Sequence, residues 1–316
     1  MTKKIIFEVG ELSDAYALKT LYDYLKETEF ERKKDVQIYF RASNLKNFSS
    51  ILNGCIKNES ECELGTSLYV QTFSDFSYTI HDKNNLLIDA SILKNCAMPM
   101  KEEDKRKARE LLGIKTELPV LVISYAKACW WEVKEFIGKI NTNSEIYIID
   151  GFHENSLPAN VHSIDIWGML RAYYAMADVA VNAANLDNRG HYLHNFIEAT
   201  EGGPLFMVPP EERYRKQFGY KELSDLGVIR NCECAEDLIE KVSKYLQRLI
   251  EQIHTENEEH SRKRTKHIVQ SREKYLPIIE SEIEKMLNNE PSRSGELQIR
   301  NQGNERFLQH PETKWK

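Results

Sequence analysis

The chain has 316 residues, 41% of them hydrophobic, and a formal net charge of −6. That is more than one average domain, with enough apolar content for one large or two medium cores, so two domains are expected. The acidic balance argues against a general attraction to nucleic acid, and no apolar run approaches the roughly 20 residues needed to span a bilayer. Peripheral contact with a membrane surface stays open.

The N-terminal stretch MTKKIIFEVGELSD is too polar after Phe7 for a secretory signal, which points to a cytoplasmic protein. Six cysteines (Cys55, Cys62, Cys96, Cys129, Cys232 and Cys234) are scattered through the chain, so reduced thiols are expected. Cys232 and Cys234 form a C-x-C without a second ligand pair, short of a zinc site.

In chain order, Lys4 to Phe7 reads as a strand, and Ala15 to Leu25 as a helix with Ala15, Leu18, Leu21, Tyr22 and Leu25 on one face. Between them Gly10 permits a tight turn, and Ser13 or Asp14 can cap the helix. Glu11 then falls on a strand-to-helix loop, where it is either a solvated acid favoured by the helix dipole or a general base. Val36 to Phe40, Leu68 to Thr72 and Leu86 to Ile88 read as further strands. Phe48, Ile51, Leu52 and Ile56 suggest a short helix, and Ile92 to Met100 an inter-domain passage. This first domain, residues 1–96, is small.

From Lys101 helices and strands alternate: helix Glu102–Leu112, strand Leu118–Ser124, helix Trp131–Ile140, and strands Glu145–Ile149 and Val161–Ile164. A short helix follows around Leu170, Tyr173, Tyr174, Met176 and Ala177. The run Val179-Ala180-Val181 suits a buried strand, and Asn185 to Gly190 is a polar loop. A helix opening near His191 or His194 carries Asn195 and Glu198, and Leu205 to Val208 is a last strand. The βαβ rhythm implies a parallel sheet with ligand loops at its carboxyl edge, over residues 97–235, without a G-x-G-x-x-G fingerprint.

Ala235 to Ile250 reads as one helix and His254 to Leu287 as a second, charged and solvated, with a kink or break at Pro277. These form a segment of helices over 236–287. Residues 288–316 are polar and short of aliphatics, which reads as a disordered tail.

His194-Asn195-Phe196-Ile197-Glu198-Ala199 resembles the H-N-x-x-E-(P)-A signature of the Kdo transferases, GT-B glycosyltransferases that move 3-deoxy-manno-octulosonic acid from CMP-Kdo. Glu8-Val9-Gly10-Glu11 is similar to that family's S-V-G-E loop, Ile92-Leu93-Lys94-Asn95 to the segment introducing its second domain, and Asp165-Ile166-Trp167-Gly168-Met169-Leu170 to its D-T-x-G-E-L turn. The matches fall in the family's order. The resemblance covers roughly residues 90–230, with an anchor at 4–25.

The resemblance implies an α/β, GT-B-like fold: two Rossmann-type domains facing a cleft, the first reduced, followed by C-terminal helices. It implies an inverting, metal-independent transfer from a nucleotide-activated sugar, possible donors including a CMP-linked ulosonic acid, to a carbohydrate or glycolipid acceptor. The nucleotide sugar would be a co-substrate, and no other cofactor is expected. Glu11 takes the general-base role. Donor binding falls to Ser124, Gly168, Met169, Arg189, Gly190, His194, Asn195 and Glu198. Among these, Asn195 and Glu198 share a helix face near free backbone N–H groups, and Gly168 lets backbone approach the nucleotide. Arg189 is either a solvated loop residue or a partner for the sugar carboxylate or phosphate. His191 and His194 lack a third ligand, so no metal is expected.

Departures from the pattern bear on the substrate. Met169 stands where the family has glutamate, Phe196 where it has proline, and Tyr125-Ala126-Lys127-Ala128-Cys129 where it has S-T-H-x-G-E. With the small first domain and no anchoring segment, they argue against lipid A as acceptor. They also keep open a catalytically degenerate protein that binds a nucleotide or sugar nucleotide, or assists a partner enzyme.

Overall fold

The computed structural model describes residues 3–9, 12–42, 52, 67–73, 85–111, 113–114, 118–125, 129–140, 143–149, 157–164, 170–184, 186, 196–208, 217–288 and 308–309. The chain divides into one compact unit of residues 1–98 with 268–316, and a second of residues 99–267.

In the first unit, β1 (Lys3–Val9), β2 (Val36–Ala42), β3 (Ser67–Phe73) and β4 (Asn85–Asp89) form a parallel sheet in the order β2-β1-β3-β4. The chain passes through α1 (Leu12–Glu27) and α2 (Phe30–Lys34) between β1 and β2, and through α3 (Ala90–Asn95) after β4. The fully buried Ala17, Leu18, Leu21 and Leu25 of α1 supply an apolar stripe at helical spacing. Phe7 and Phe40 meet edge to face with centroids 5.2 Å apart. Asp35 ends α2 at φ 51°, a left-handed conformation that aspartate tolerates better than most residues.

Three expectations change here. The passage after β4 contains the capped helix α3, with the Asp89 carboxylate accepting from Ser91 N–H at 2.8 Å. Ser13 and Asp14 lie inside the first turn of α1, which starts at Leu12, rather than at its cap, and the Asp14 carboxylate accepts from the Thr72 hydroxyl at 2.7 Å. In the polar tail, Leu308–Gln309 forms β11, antiparallel to β4. The short helix expected around Phe48 to Ile56 lies outside the described residues, apart from the buried Leu52.

The second unit has α4 (Glu102–Leu111), β5 (Val120–Ser124), α5 (Trp130–Lys139), β6 (Glu145–Ile149), β7 (Val161–Ile164), α6 (Leu170–Met176), β8 (Val179–Asn182), α7 (Phe196–Ala199), β9 (Leu205–Met207), α8 (Tyr220–Asp225) and β10 (Ile229–Asn231). Its six strands are parallel in the order β7-β6-β5-β8-β9-β10. Both faces are covered, as the near-continuous apolar strands require. Leu121, Ile123, Val179, Val181 and Phe206 pack with Val133 and Phe136 of α5. Val120, Val122, Ala180, Leu205 and Met207 pack with Tyr173, Phe196 and Leu223 from α6, α7 and α8.

The two expected C-terminal helices are a single helix, α9 (Ala235–Leu287), which runs through Pro277 without a break. Its residues up to His267 belong to the second unit and the rest to the first. The expected solvated character fails over its middle, where His260, Arg264 and His267 are buried. Arg264 donates through Nη2 to Glu201 at 3.0 Å and through Nε to the Thr200 hydroxyl at 3.1 Å, while His260 Nε2 lies 3.0 Å from the Thr200 carbonyl. Asn257 donates to Asp178 at 3.0 Å, and Asp178 also accepts from Val120 N–H at 2.9 Å and from Arg109. The buried charges of Asp178, Glu201 and Arg264 are thus paired, which is what makes their burial tolerable.

Candidate functional site

An open parallel sheet takes its ligands outside the carboxyl ends of its strands, where successive connections run to opposite sides. In the second unit that point lies between β5 and β8, since β5 leads to β6 on one side and β8 leads to β9 on the other. In the first unit it lies between β1 and β3.

At the β5/β8 edge, Ser124 and Asn182 are register partners. Ser124 is only 7% exposed, its hydroxyl donates to the Val181 carbonyl at 3.4 Å, and its own carbonyl accepts from Ala183 N–H at 2.8 Å. The Asn182 side chain accepts from Ala184 N–H at 3.1 Å, an Asx turn that bends the chain off the end of β8. The Cys129 thiol donates to the Ala184 carbonyl at 3.0 Å, tying the start of α5 to the same turn. These bonds make a fixed floor between the two strands. Trp131, on the first turn of α5, is 72% exposed, with Lys134 Nζ 5.6 Å from its ring centroid.

Of the residues expected to bind donor, the described ones are Ser124, at this floor, and Glu198, half-buried on α7, the helix that follows β8. Gly168, Met169, Arg189, Gly190, His194 and Asn195 lie outside the described residues, as do His191 and Glu11.

Just beyond Glu198, Glu201 is nearly fully buried and gathers three donors: Met100 N–H at 2.6 Å, Arg171 Nε at 3.2 Å and Arg264 Nη2 at 3.0 Å. Burial pushes its carboxyl up, but Arg264, Arg171 and the Met100 N–H outweigh that, and the net shift is downward. The following Gly202 and Gly203 let this turn press on the backbone between α6 and β8. A Cβ on Gly203 would sit 2.0 Å from the Asp178 carbonyl oxygen. The turn that follows α7 and Glu198 is therefore anchored by packing and charge together.

At the β1/β3 edge of the first unit, Glu8 accepts from Arg41 Nε at 3.0 Å and from the Gln71 amide, its register partners on β2 and β3. The Asp14–Thr72 bond also ties the first turn of α1 to β3. Sequence reading missed Arg41, Gln71, Asn182 and Glu201. The available signal was a polar residue at or near the end of an apolar strand run, and for Glu201 the Gly-Gly-Pro that follows it.

Among the described residues, no group of three His, Cys, Asp or Glu side chains is arranged to hold a metal, and no helix is long and apolar enough to cross a membrane. Cys96, Cys129, Cys232 and Cys234 are free thiols, and the C-x-C pair is split, with Cys232 buried and Cys234 exposed.

The chain matches no family model and no curated protein. Among solved structures it is similar to a glycosyltransferase from Rickettsia africae at 10% identity and TM-score 0.49, covering 93% of this chain and 100% of that one. It is similar to the UDP-GlcNAc 2-epimerase of Neisseria meningitidis bound to UDP-GlcNAc at 11% identity and TM-score 0.45, covering 85% and 99%. The C-terminal CMP-Kdo binding domain of WaaA from Acinetobacter baumannii matches at 13% identity and TM-score 0.39, covering 53% of this chain and 99% of that domain. Likenesses this distant do not bear on donor, acceptor or mechanism.

Proposed function

We propose that this protein is a glycosyltransferase that moves a sugar from a nucleotide-activated donor to an acceptor hydroxyl, without a metal and with inversion. The observation that carries the reading is the β5/β8 switch point in the second unit, with the His194 to Ala199 motif on the chain that leaves β8. Donor binding is assigned to that edge. Asn195 and Glu198 meet the sugar nucleotide, Glu198 accepting hydrogen bonds from hydroxyl groups, and Arg189 faces a carboxylate or phosphate. The resemblance to the Kdo transferases favours a CMP-linked ulosonic acid as donor and gives Glu11 the role of base. In that step Glu11 takes the proton of the acceptor hydroxyl, the oxygen bonds to the anomeric carbon, and the nucleotide leaves with the electron pair of the broken bond.

Titration with CMP, UMP and CMP-Kdo while following tryptophan fluorescence tests donor binding, because Trp131 is exposed on the helix that follows β5. A saturable response that Glu198→Ala weakens is expected; no response to any of the three sinks the assignment. A transfer or hydrolysis assay of Glu11→Gln then tests the chemistry, and rates equal to wild type remove Glu11 from it. Met169, standing where the family has an acid, favours a second reading, a protein that binds the sugar nucleotide without turning it over. Saturable binding with no turnover would select that reading.

A further inference from the structure

A cavity of about 630 Å³ opens along the edge of the second unit's sheet, two strands away from the β5/β8 edge, between β10 and the first turns of α9. Phe206, Arg230, Lys241, Lys244, Arg248 and Glu251 line it, four cations to one acid. Lys241, Lys244 and Arg248 recur at spacings of three and four and so share one face of α9.

The two lysines are already paired within the helix, Lys241 with Asp237 at 2.7 Å and Lys244 with Glu240. The two arginines are not: among the described residues no carboxylate pairs with Arg230 or Arg248. Both guanidinium groups lie over the ring of the buried Tyr245, Arg230 at 4.3 Å and Arg248 at 5.4 Å from its centroid, and Arg230 also covers Phe206 at 5.3 Å. Ring contacts hold these planar cations in place without neutralising them. The acids nearby are Glu251 in the cavity lining, Glu256 at the Tyr245 hydroxyl and Glu259, which lies within electrostatic reach of Arg230.

We infer that this cavity is an anion site for a small phosphorylated ligand, a sugar phosphate or nucleoside diphosphate, bound through Arg230 and Arg248. Guanidinium groups grip phosphate oxygens in pairs, and the volume falls within the range of small-molecule pockets. Holding both forks against aromatic rings before the ligand arrives lowers the ordering cost of binding. The inference is independent of glycosyl transfer, since it uses none of the residues assigned to the donor.

Isothermal titration of the full chain with inorganic pyrophosphate tests it. Wild type is expected to bind about one equivalent, more weakly at high salt. Arg248→Gln, at an exposed position that leaves the core intact, is expected to weaken binding at least tenfold and Lys244→Gln several-fold. Lys221→Gln, on α8, should leave it unchanged. Absence of binding by wild type, or affinity in Arg248→Gln equal to wild type, overturns the assignment; so does an equal loss in Lys221→Gln, which would mark mere charge attraction.

Discussion

Replacing Glu201 by glutamine should destabilise the second unit more than removing its partner Arg264, although both are buried. Three donors converge on the Glu201 carboxylate: Met100 N–H, Arg171 and Arg264. The glutamine amide would present an N–H₂ group to donors and leave a buried guanidinium uncompensated. A cost of about 3–5 kcal/mol is expected for breaking one side of such a pair. Arg264→Met leaves Glu201 with Arg171 and the Met100 N–H. It also removes Arg264 Nη1, a buried donor with no partner, itself a burden of about 1–3 kcal/mol. Its cost should therefore be smaller, about 1–2 kcal/mol. The double variant should cost well below the sum of the two, because the uncompensated cation disappears with its carboxylate. Urea unfolding followed by tryptophan fluorescence reads this unit, since three of the four tryptophans, Trp130, Trp131 and Trp167, fall within residues 99–267. An Arg264→Met cost equal to or above that of Glu201→Gln, or additivity within about 0.5 kcal/mol, would refute the reasoning.

Acid sensitivity should come from the same stretch of α9. Burial, with the neighbouring Arg264 acting the same way, holds His260 down at about 3, and burial holds His267 at about 4. The unfolded chain takes up these protons near the ordinary value of about 6.5, so stability is full above that pH and falls as pH drops toward 4. The depressed Glu201 carboxyl adds a further loss at lower pH, as the ion pair is protonated. His260→Gln should flatten the dependence of the unfolding midpoint on pH between 6.5 and 4.5, and an unchanged slope would place the sensitivity elsewhere. Gly203→Ala should lower the melting temperature by several degrees. Its Cβ meets the Asp178 backbone at 2.0 and 2.4 Å, and backbone on both sides has to move, at roughly 3 kcal/mol. A melting temperature within a degree of wild type would show that the two turns separate easily.

The apolar runs at Val120–Ile123 and Val179–Val181 were legible as buried strands because a sheet covered on both faces needs side chains of one kind on both. The α1 face was legible because Leu18, Leu21 and Leu25 keep helical spacing. The short strand β10 and the helices α2, α3 and α8 were missed, because segments of three to six residues hold too few positions to show a period. The two C-terminal helices fused into one because polar residues around His254 continue the helix without contributing to an apolar stripe. Among the candidate donor residues, Ser124 was named from its place at the end of a strand and Glu198 from the motif. Asn182 and Glu201 were not, because the first marks a turn and the second is defined by donors from Met100, Arg171 and Arg264, which the sequence scatters over more than a hundred and sixty residues.

The sequence by itself determined the alternation of strand and helix and the candidate residues of the His194 to Ala199 motif, since periodicity and spacing are local properties of the chain. Strand order belonged to the tertiary structure: it sets Ser124 beside Asn182 and makes the β5/β8 edge the place where connections diverge. So did the fate of the charges. An arginine in a polar stretch reads as solvated until packing shows Arg264 of α9 buried against Glu201, or Arg230 of β10 and Arg248 of α9 held over one tyrosine ring, because the energy of a charge depends on what surrounds it rather than on its neighbours in the chain.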